Sequence, residues 1–217
     1  MPETPFQALA GNAMTTLGTM KGMLGIPPDV EDAQRDAIIT NLINYASAWI
    51  ERMTGRNFGK QTYIQDYIAP GAQELVLLQW PILSVEYIKD KTTGEEIPPE
   101  SYDYGLTGDI GVIYKDDGWP LRGYRSGLAY DIVAPMRYLE VKYTAGYTLP
   151  KDSDGDNPCT LPYDLQGVIW GAITQEFAIS QDGAQGLSAF SISDVTWTFD
   201  KNPRQEWLNI IKLNTRL

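Results

Sequence analysis

The apolar positions of residues 29–53 recur with the period of an α-helix. At 100° per residue, one broad stripe holds nine apolar side chains, namely Ile38, Ile39, Leu42, Ile43, Tyr45, Ala46, Trp49, Ile50 and Met53. The opposite side holds polar side chains, namely Thr40, Asn44, Ser47 and Glu51. Two prolines precede Asp29 and Asp32, either of which can cap a helix start, and Gly55 follows as a left-handed cap. The pattern predicts a long amphipathic helix over residues 29–53.

A second helix is predicted over residues 162–180, where the apolar side chains are not confined to one stripe. Trp170, Ile173 and Phe177 lie well round the helix from its main apolar face. A helix this apolar must be covered on several sides, by its own fold or by another subunit. Gly167 and Gly171 are four residues apart and leave a shallow face where another backbone can come close.

Shorter elements flank these two helices. Residues 14–24 predict a short helix, and the alternation of residues 194–199 predicts a strand after a flexible link at 181–186. A last helix is predicted to start at Pro203. This C-terminal segment is basic on an acidic protein, since Arg204, Lys212 and Arg216 stand against Glu206 alone.

From residue 61 the apolar period changes to two, which is typical of β-strands. Six short strands are predicted, at residues 63–67, 74–80, 85–89, 102–104, 111–114 and 137–143. The Gly-rich residues 121–135 are interpreted as a long loop. The predicted class is therefore α+β: residues 1–60 and 150–217 form a small helical bundle, and residues 61–149 form an inserted antiparallel β module.

Composition removes several classes of function. The net charge of −11 and pI near 4.4 disfavour binding to phosphate backbones. The chain has no histidine, so it lacks the commonest general base and metal ligand, and its one cysteine, Cys159, has no partner for a disulfide or a zinc site. No apolar run reaches the ~18 residues of a membrane span, and the N-terminus does not resemble a signal peptide. We expect a protein that is made and folded inside the cell.

Candidate chemistry is weak. Asp152, Asp154 and Asp156 have the spacing of a calcium loop. The rest of the motif does not match, because its glycine is displaced to Gly155, Pro158 interrupts it and the twelfth position is Tyr163 instead of glutamate, so a solvated turn is the better interpretation. Asp116 and Asp117 are paired carboxylates beside turn residues, which leaves a hydrolase as one alternative. A ligand-binding β module is another, because several aromatic side chains are candidates to line a groove, namely Tyr102, Tyr104, Tyr114, Trp119, Tyr124 and Tyr130. We predict no catalytic, cofactor-binding or metal-binding residues.

The order of several short segments resembles a known family. These segments are Met23–Ile26, Ala46–Glu51, Thr54–Phe58, Leu75–Leu77, Trp80–Val85, Tyr143–Tyr147, Leu161–Leu165 and Ser191–Val195. Each is unspecific alone, but their order over residues 15–215 is similar to that of the head–tail connector proteins of long-tailed bacteriophages, also called adaptor or head-completion proteins.

The resemblance implies a structural protein that forms a ring, typically of twelve subunits, between the portal protein and a stopper or tail-completion protein. The helices of such a ring surround a channel through which DNA passes without sequence-specific binding. The expected location is the head–tail interface of the virion, after assembly in the host cytoplasm. By position, the resemblance implies a portal-docking set in the C-terminal helix, namely Trp207, Leu208, Ile211, Leu213 and Arg216.

The resemblance also suggests which helix faces meet a neighbouring subunit or the channel. The candidates are the polar side of the long helix and the outlying aromatics of the second, namely Thr40, Asn44, Ser47, Glu51, Trp170 and Phe177. The insertion at residues 105–135 departs from the simplest members of the family, and its role stays open.

Overall fold

A computed structural model describes residues 8–27, 29–91, 93–120, 139–181, 189–192, 195–198 and 204–215. Within these ranges the helices are α1 (Leu17–Met23), α2 (Ala33–Thr54), α3 (Tyr163–Gln181) and α4 (Gln205–Leu213). The strands are β1 (Gln61–Tyr67), β2 (Glu74–Val76), β3 (Ile82–Asp90), β4 (Val112–Tyr114), β5 (Leu139–Ala145), β6 (Ala189–Ile192) and β7 (Val195–Thr198). The predicted α+β class, with helices and antiparallel sheets, is confirmed.

The chain divides into two compact units. A helical unit comprises residues 1–58 and 148–217, and a β unit comprises residues 59–147. The linear sequence thus leaves the helical unit after α2 and returns to it shortly before α3.

The long helix α2 begins four residues later than its apolar pattern predicts, and the predicted start at Asp29 is therefore wrong. Asp32 has an extended backbone, and its carboxylate accepts a hydrogen bond from the backbone N–H of Arg35, so it is Asp32 that caps the helix. The helix ends as predicted at Gly55, whose φ of 68° lies in the left-handed region.

In the helical unit, α2 packs against α1, α3 and α4. The buried apolar side chains of these helices are Met20 of α1, Ile39, Ile43, Ala46 and Ile50 of α2, Leu165, Val168, Ile169 and Ile173 of α3, and Ile211 of α4. An ion pair fixes α1 to the start of α2, since Lys21 Nζ lies 2.7 Å from Asp36 Oδ2 and donates a further hydrogen bond to the carbonyl of Val30. Burial of apolar surface between the helices is the main stabilising term.

Strands β6 and β7 form an antiparallel pair in which Ala189 lies opposite Thr198. The sequence predicted a strand only at residues 194–199, so it gave β7 and missed β6. Residues 194 and 199 themselves, and most of the predicted link at 181–186, lie outside the described residues.

The β unit contains a three-stranded antiparallel sheet in the order β1-β5-β3 and a two-stranded sheet of β2 and β4. Its core combines apolar side chains with aromatic ones, including Tyr63, Leu77, Trp119 and Tyr143. The predicted strand at residues 102–104 is wrong, because this segment makes a single bridge between Asp103 and Tyr114. The predicted strand at 74–80 is shorter than expected, and the predicted loop at 121–135 lies outside the described residues.

A buried hydroxyl network fixes one corner of the β unit. The hydroxyl oxygens of Tyr143 and Tyr67 lie 3.0 Å apart, and each lies 2.6 Å from the side-chain carbonyl oxygen of Gln65, so all three atoms are within hydrogen-bond distance. The backbone N–H groups of Leu78 and Gln79 donate to the two tyrosines. Burial raises the pKa of the Tyr143 hydroxyl well above its usual value, and the hydrogen bond with Tyr67 adds to this shift.

Candidate assembly surfaces

The polar side of α2 is covered by the chain's own N-terminal segment, residues 8–16. Asn44 accepts a hydrogen bond from the backbone N–H of Ala10 at 2.8 Å and donates one to the carbonyl of Ala8 at 3.1 Å. Ser47 Oγ accepts from the backbone N–H of Met14 at 3.0 Å and is fully buried. Of these contacts, the one from Ser47 satisfies a buried backbone N–H that would otherwise have no partner.

Glu51 and Thr40 complete this polar side. Glu51 accepts a hydrogen bond from the side-chain amide of Asn12 at 2.6 Å and another from the backbone N–H of Phe58 at 3.2 Å. Thr40 is buried within the chain. In the single chain, this predicted interface set therefore holds other parts of the same chain in place, and contact of any member with a neighbour or with the channel stays a prediction.

The apolar stripe of α2 divides into a buried half and an exposed half. Its outer half, which we call the outer stripe, consists of Leu42, Tyr45, Trp49 and Met53. Tyr45 is 62% exposed and Met53 is 48% exposed, while Leu42 and Trp49 are half-buried. Tyr, Trp and Met are the residue types that protein interfaces favour, so the outer stripe has the composition of a contact surface.

Helix α4 is held on the helical unit by the packing of Trp207 on Gly171 of α3. A β-carbon added to Gly171 would lie 2.4 Å from Cζ2 of Trp207, so only a glycine allows the indole to approach this closely. The guanidinium of Arg204 stacks over the ring of Trp207, with Cζ 5.4 Å from the ring centroid, which is within the range of a cation–π contact. The sequence identified the shallow face at Gly171 but not the side chain that fills it.

The predicted portal-docking set does not form one exposed surface. Ile211 is 2% exposed and Trp207 contacts α3, so both are engaged within the chain, and Leu208 is half-buried. Leu213 is 83% exposed. Arg216 lies outside the described residues. Among the described residues of this set, Leu213 at the C-terminal end of α4 is therefore the one exposed to a partner.

The outlying aromatic residues of α3 are half-buried. Trp170 donates a hydrogen bond from Nε1 to Thr15 Oγ1 at 3.1 Å, which links α3 to the residue just before the cap of α1. Phe177 is likewise half-buried. The role of Trp170 and Phe177 as subunit contacts stays a prediction.

Two grooves flank Trp207. One, of about 190 Å³, lies between α2 and α3, and its walls include Leu42, Trp49 and Glu176. The other, of about 620 Å³, lies along the face of α3 that carries Gly167, and we call it the α3 groove. Its lining residues are Met23, Gly167, Trp170, Gly171, Thr174, Gln175, Ala178, Ile179, Arg204 and Trp207.

The acidic loop at residues 152–156 has the geometry of a turn. Asp154 Oδ1 accepts hydrogen bonds from the backbone N–H groups of Asn157 and Asp156, and these bonds lower the pKa of the Asp154 carboxyl. In the described ranges, no group of three or more His, Cys, Asp or Glu side chains is placed to hold a metal ion. The hydrogen bonds within the loop have the pattern of an Asx-type turn, which agrees with the interpretation of this segment as a turn.

The aromatic residues of the β unit are packing residues where the structure describes them. Trp119 is buried and donates a hydrogen bond from Nε1 to the carbonyl of Gln73, and its ring lies 6.2 Å from that of Tyr102. Tyr104 packs against the same core. Tyr124 and Tyr130 lie outside the described residues. Of the paired carboxylates, Asp117 is exposed to solvent and lies 3.9 Å from Nζ of Lys115.

The exposed face of the three-stranded sheet carries two ion pairs. Lys142 lies 2.6 Å from Glu86, and Lys91 lies 2.7 Å from Asp66; each hydrogen bond raises the pKa of its lysine.

In the part of the chain that the structure describes, no helix is long and apolar enough to span a membrane.

Comparison with known proteins agrees with the resemblance drawn from the sequence. Residues 14–98, less than half of the chain, match the family described as "Phage gp6-like head-tail connector protein". No curated protein matches the chain. The resemblance to head–tail connector proteins is confirmed over those residues, which include α1, α2 and the first three strands.

Solved structures share the fold over nearly the whole chain. One is the neck of an empty GTA particle computed with C6 symmetry, with a TM-score of 0.55, 13% identity, and coverage of 97% of this chain and 94% of that chain. Another is the neck of a native GTA particle computed with C12 symmetry, with a TM-score of 0.52, 14% identity, and coverage of 97% and 93%. A third is the virion of a native gene transfer agent particle, with a TM-score of 0.51, 15% identity, and coverage of 97% and 93%.

Proposed function

We propose that this chain, whose residues 14–98 match the head–tail connector family, is a structural subunit of the connector in a long-tailed phage or phage-like particle. In this proposal twelve copies form a ring between the portal protein and the stopper or tail-completion protein. The observation that carries the proposal is the family match, and the shared fold with neck proteins over 97% of the chain supports it. The ring functions in the virion and is assembled in the host cytoplasm.

A ring subunit needs contact surfaces that a single chain leaves open. The outer stripe of α2 and the exposed Leu213 of α4 are such surfaces in the helical unit. A structural role also agrees with the side-chain chemistry, because the chain has no histidine, Asp154 is held in a turn and Glu86 is held in an ion pair. We therefore assign no catalytic step and no cofactor to it.

The ring is proposed to surround DNA without binding its sequence. A net charge of −11 repels the phosphate backbone, so an acidic channel wall lowers adhesion while DNA moves through. Specific readout needs donors placed against base edges and cations placed against phosphates. DNA retention by the isolated ring at physiological salt would contradict this part of the proposal.

The C-terminal segment is proposed to contact the portal. Within α4, Trp207 and Ile211 anchor the helix to its own unit, while Leu213 and the neighbouring Lys212 are exposed. Leu208 and Arg216 complete the proposed set. A basic, apolar end on an acidic body suits an acidic partner ring.

The decisive experiment combines this protein with the portal protein encoded beside it and images the complex by electron microscopy. We expect a ring attached to the portal, and we expect deletion of residues 203–217 to prevent attachment. Because this deletion also removes the packing of Trp207 and Ile211, folding of the remaining body is checked by circular dichroism, and a point variant tests docking separately. Leu213→Glu should weaken attachment, whereas Leu106→Glu, at a 94% exposed site in the β unit, should not. A protein that forms no ring and binds no portal would show that the proposal is wrong.

A further inference from the structure

Gly167 is a glycine that no contact among the described residues requires. Gly167 lies within α3, where glycine is less favourable than alanine because it has more backbone freedom to lose. A β-carbon at Gly167 would meet no atom within 4 Å, in contrast to Gly171, whose space is filled by Trp207. The missing side chain at Gly167 keeps the α3 groove open, and the described chain leaves that space unfilled.

The outer stripe matches the α3 groove in length. From Leu42 to Met53, α2 extends about 16 Å at 1.5 Å per residue, and from Gly167 to Ala178, α3 extends about 16 Å as well. The stripe presents large side chains, among them Tyr45. The α3 side of the groove carries a row of small residues at helical spacing, Gly167, Thr174 and Ala178, beside the larger Trp170, Gln175 and Ile179. Large side chains against a small-residue helix face allow two helices to interdigitate closely.

The charges beside the two surfaces are complementary in one orientation. Arg52 is exposed next to Met53 at the C-terminal end of the stripe, and Asp164 is exposed one turn before Gly167. If Arg52 meets Asp164, the two helices run antiparallel, which also aligns their dipoles favourably. A stripe on α2 that packs into a groove on α3 of the next copy forms a head-to-tail contact, and repeated head-to-tail contacts form a ring when the rotation between copies closes.

We propose that the outer stripe of α2 in one subunit packs into the α3 groove of the next subunit, with Arg52 facing Asp164. This inference rests on the proposed ring and names the surfaces that form it. The occupant of the groove is a second copy of this chain, and the large side chains that enter it are Tyr45 and Trp49.

The first test measures association of the full chain by sedimentation velocity at rising concentration, with and without the portal protein. We expect the wild type to associate beyond a dimer, because a head-to-tail contact does not stop at two copies. Tyr45→Glu removes the stripe and Gly167→Leu fills the groove, so each variant alone should stay monomeric. Ile64→Glu, at a 61% exposed site in the β unit, is the matched control and should associate like the wild type.

The second test mixes the two variants. In an equimolar mixture, the Tyr45→Glu chain offers an intact groove and the Gly167→Leu chain offers an intact stripe, so one junction forms and a dimer results. A two-fold contact would also keep one junction in this mixture, so the two arrangements are distinguished by the wild type, which a two-fold contact limits to a dimer. Combining Arg52→Asp with Asp164→Arg in one chain should restore association that each change alone weakens.

Folding is checked in the same samples. Gly167→Leu should keep or raise the Tm, because leucine favours a helix and meets open space; Met53→Glu replaces Tyr45→Glu if the latter lowers the Tm. Association of Gly167→Leu equal to wild type, or a wild type that stays monomeric in both conditions, would overturn this inference. Rings on the portal in every variant would overturn the inference alone and leave the proposed function standing.

Discussion

The contact between Gly171 and Trp207 gives a prediction whose size follows from the structure. In Gly171→Ala, the new β-carbon would lie 2.4 Å from Cζ2 of Trp207, and 3.1 Å and 3.2 Å from two further ring atoms. Carbon atoms in contact normally lie about 3.5 Å apart, so the indole must move by roughly 1 Å. The ring is rigid, and the movement therefore displaces the start of α4.

Two opposing terms decide the outcome. Alanine gains about 1 kcal/mol over glycine in a helix interior, and overpacking costs about 1–3 kcal/mol. Gly171→Ala should therefore change the free energy of unfolding by between about zero and a loss of 2 kcal/mol. Gly167→Ala is the matched control on the same helix, because its β-carbon meets no atom within 4 Å. That control should gain about 1 kcal/mol.

Urea unfolding followed by circular dichroism measures the gap between the two alanine variants, which should be about 1–3 kcal/mol. Hydrogen exchange should show faster exchange in α4 of Gly171→Ala than in the control. In a Trp207→Ala background the steric term disappears, so both glycine substitutions should then be equally favourable. Equal stability of the two variants with Trp207 present would refute the assigned contact.

Three further predictions concern contacts within each unit. Lys21→Met leaves the Asp36 carboxylate without its cation and should lower the free energy of unfolding, measured by urea titration, by about 2–4 kcal/mol. Adding Asp36→Leu to this variant should recover most of the loss. No recovery in the double variant would contradict the ion-pair assignment. Ser47→Ala removes the acceptor for the buried backbone N–H of Met14, so we expect a loss of about 1–3 kcal/mol and faster proteolysis of residues 8–16; unchanged proteolysis would count against it. The folded-state pKa of Tyr143 is raised above the ordinary 10.0, so the stability that this shift contributes is complete below pH 10 and is lost as the pH rises further. The free energy of unfolding should fall by at most about 1.4 kcal/mol per pH unit in that range. Tyr143→Phe should flatten this alkaline slope, and equal slopes in the two proteins would refute the shift.

The sequence predicted the main elements because their patterns are local. The 3.6-residue period gave α2 and α3, and the Gly55 cap was identified from its residue type. The start of α2 was placed four residues early, since Asp29 and Asp32 are equal candidates until the backbone shows which one is extended. The segment at 102–104 has strand-forming residues but pairs at a single bridge, which depends on partners distant in sequence.

The polar side of α2 shows why interface residues are harder to predict. Short polar side chains opposite an apolar stripe are typical of a solvent-facing surface, yet Ser47 is buried because its hydroxyl accepts a backbone N–H from the N-terminal segment. That segment has no periodic pattern from which its path follows. The surface left open is instead the outer half of the apolar stripe, which a pattern alone assigns to the core.

Helix α4 shows the same limit for a docking segment. Its apolar residues suggested one docking set, but a helix of nine residues is too short to be stable in water by itself and needs an anchor. Trp207 and Ile211 supply that anchor on the helical unit, which leaves Leu213 at the exposed end for a partner. A portal contact through Leu213 therefore needs no separation of α4 from its own unit. Loss of portal attachment in Leu213→Glu, with unchanged hydrogen exchange at Trp207, would support this division of roles, whereas faster exchange throughout α4 on portal binding would contradict it.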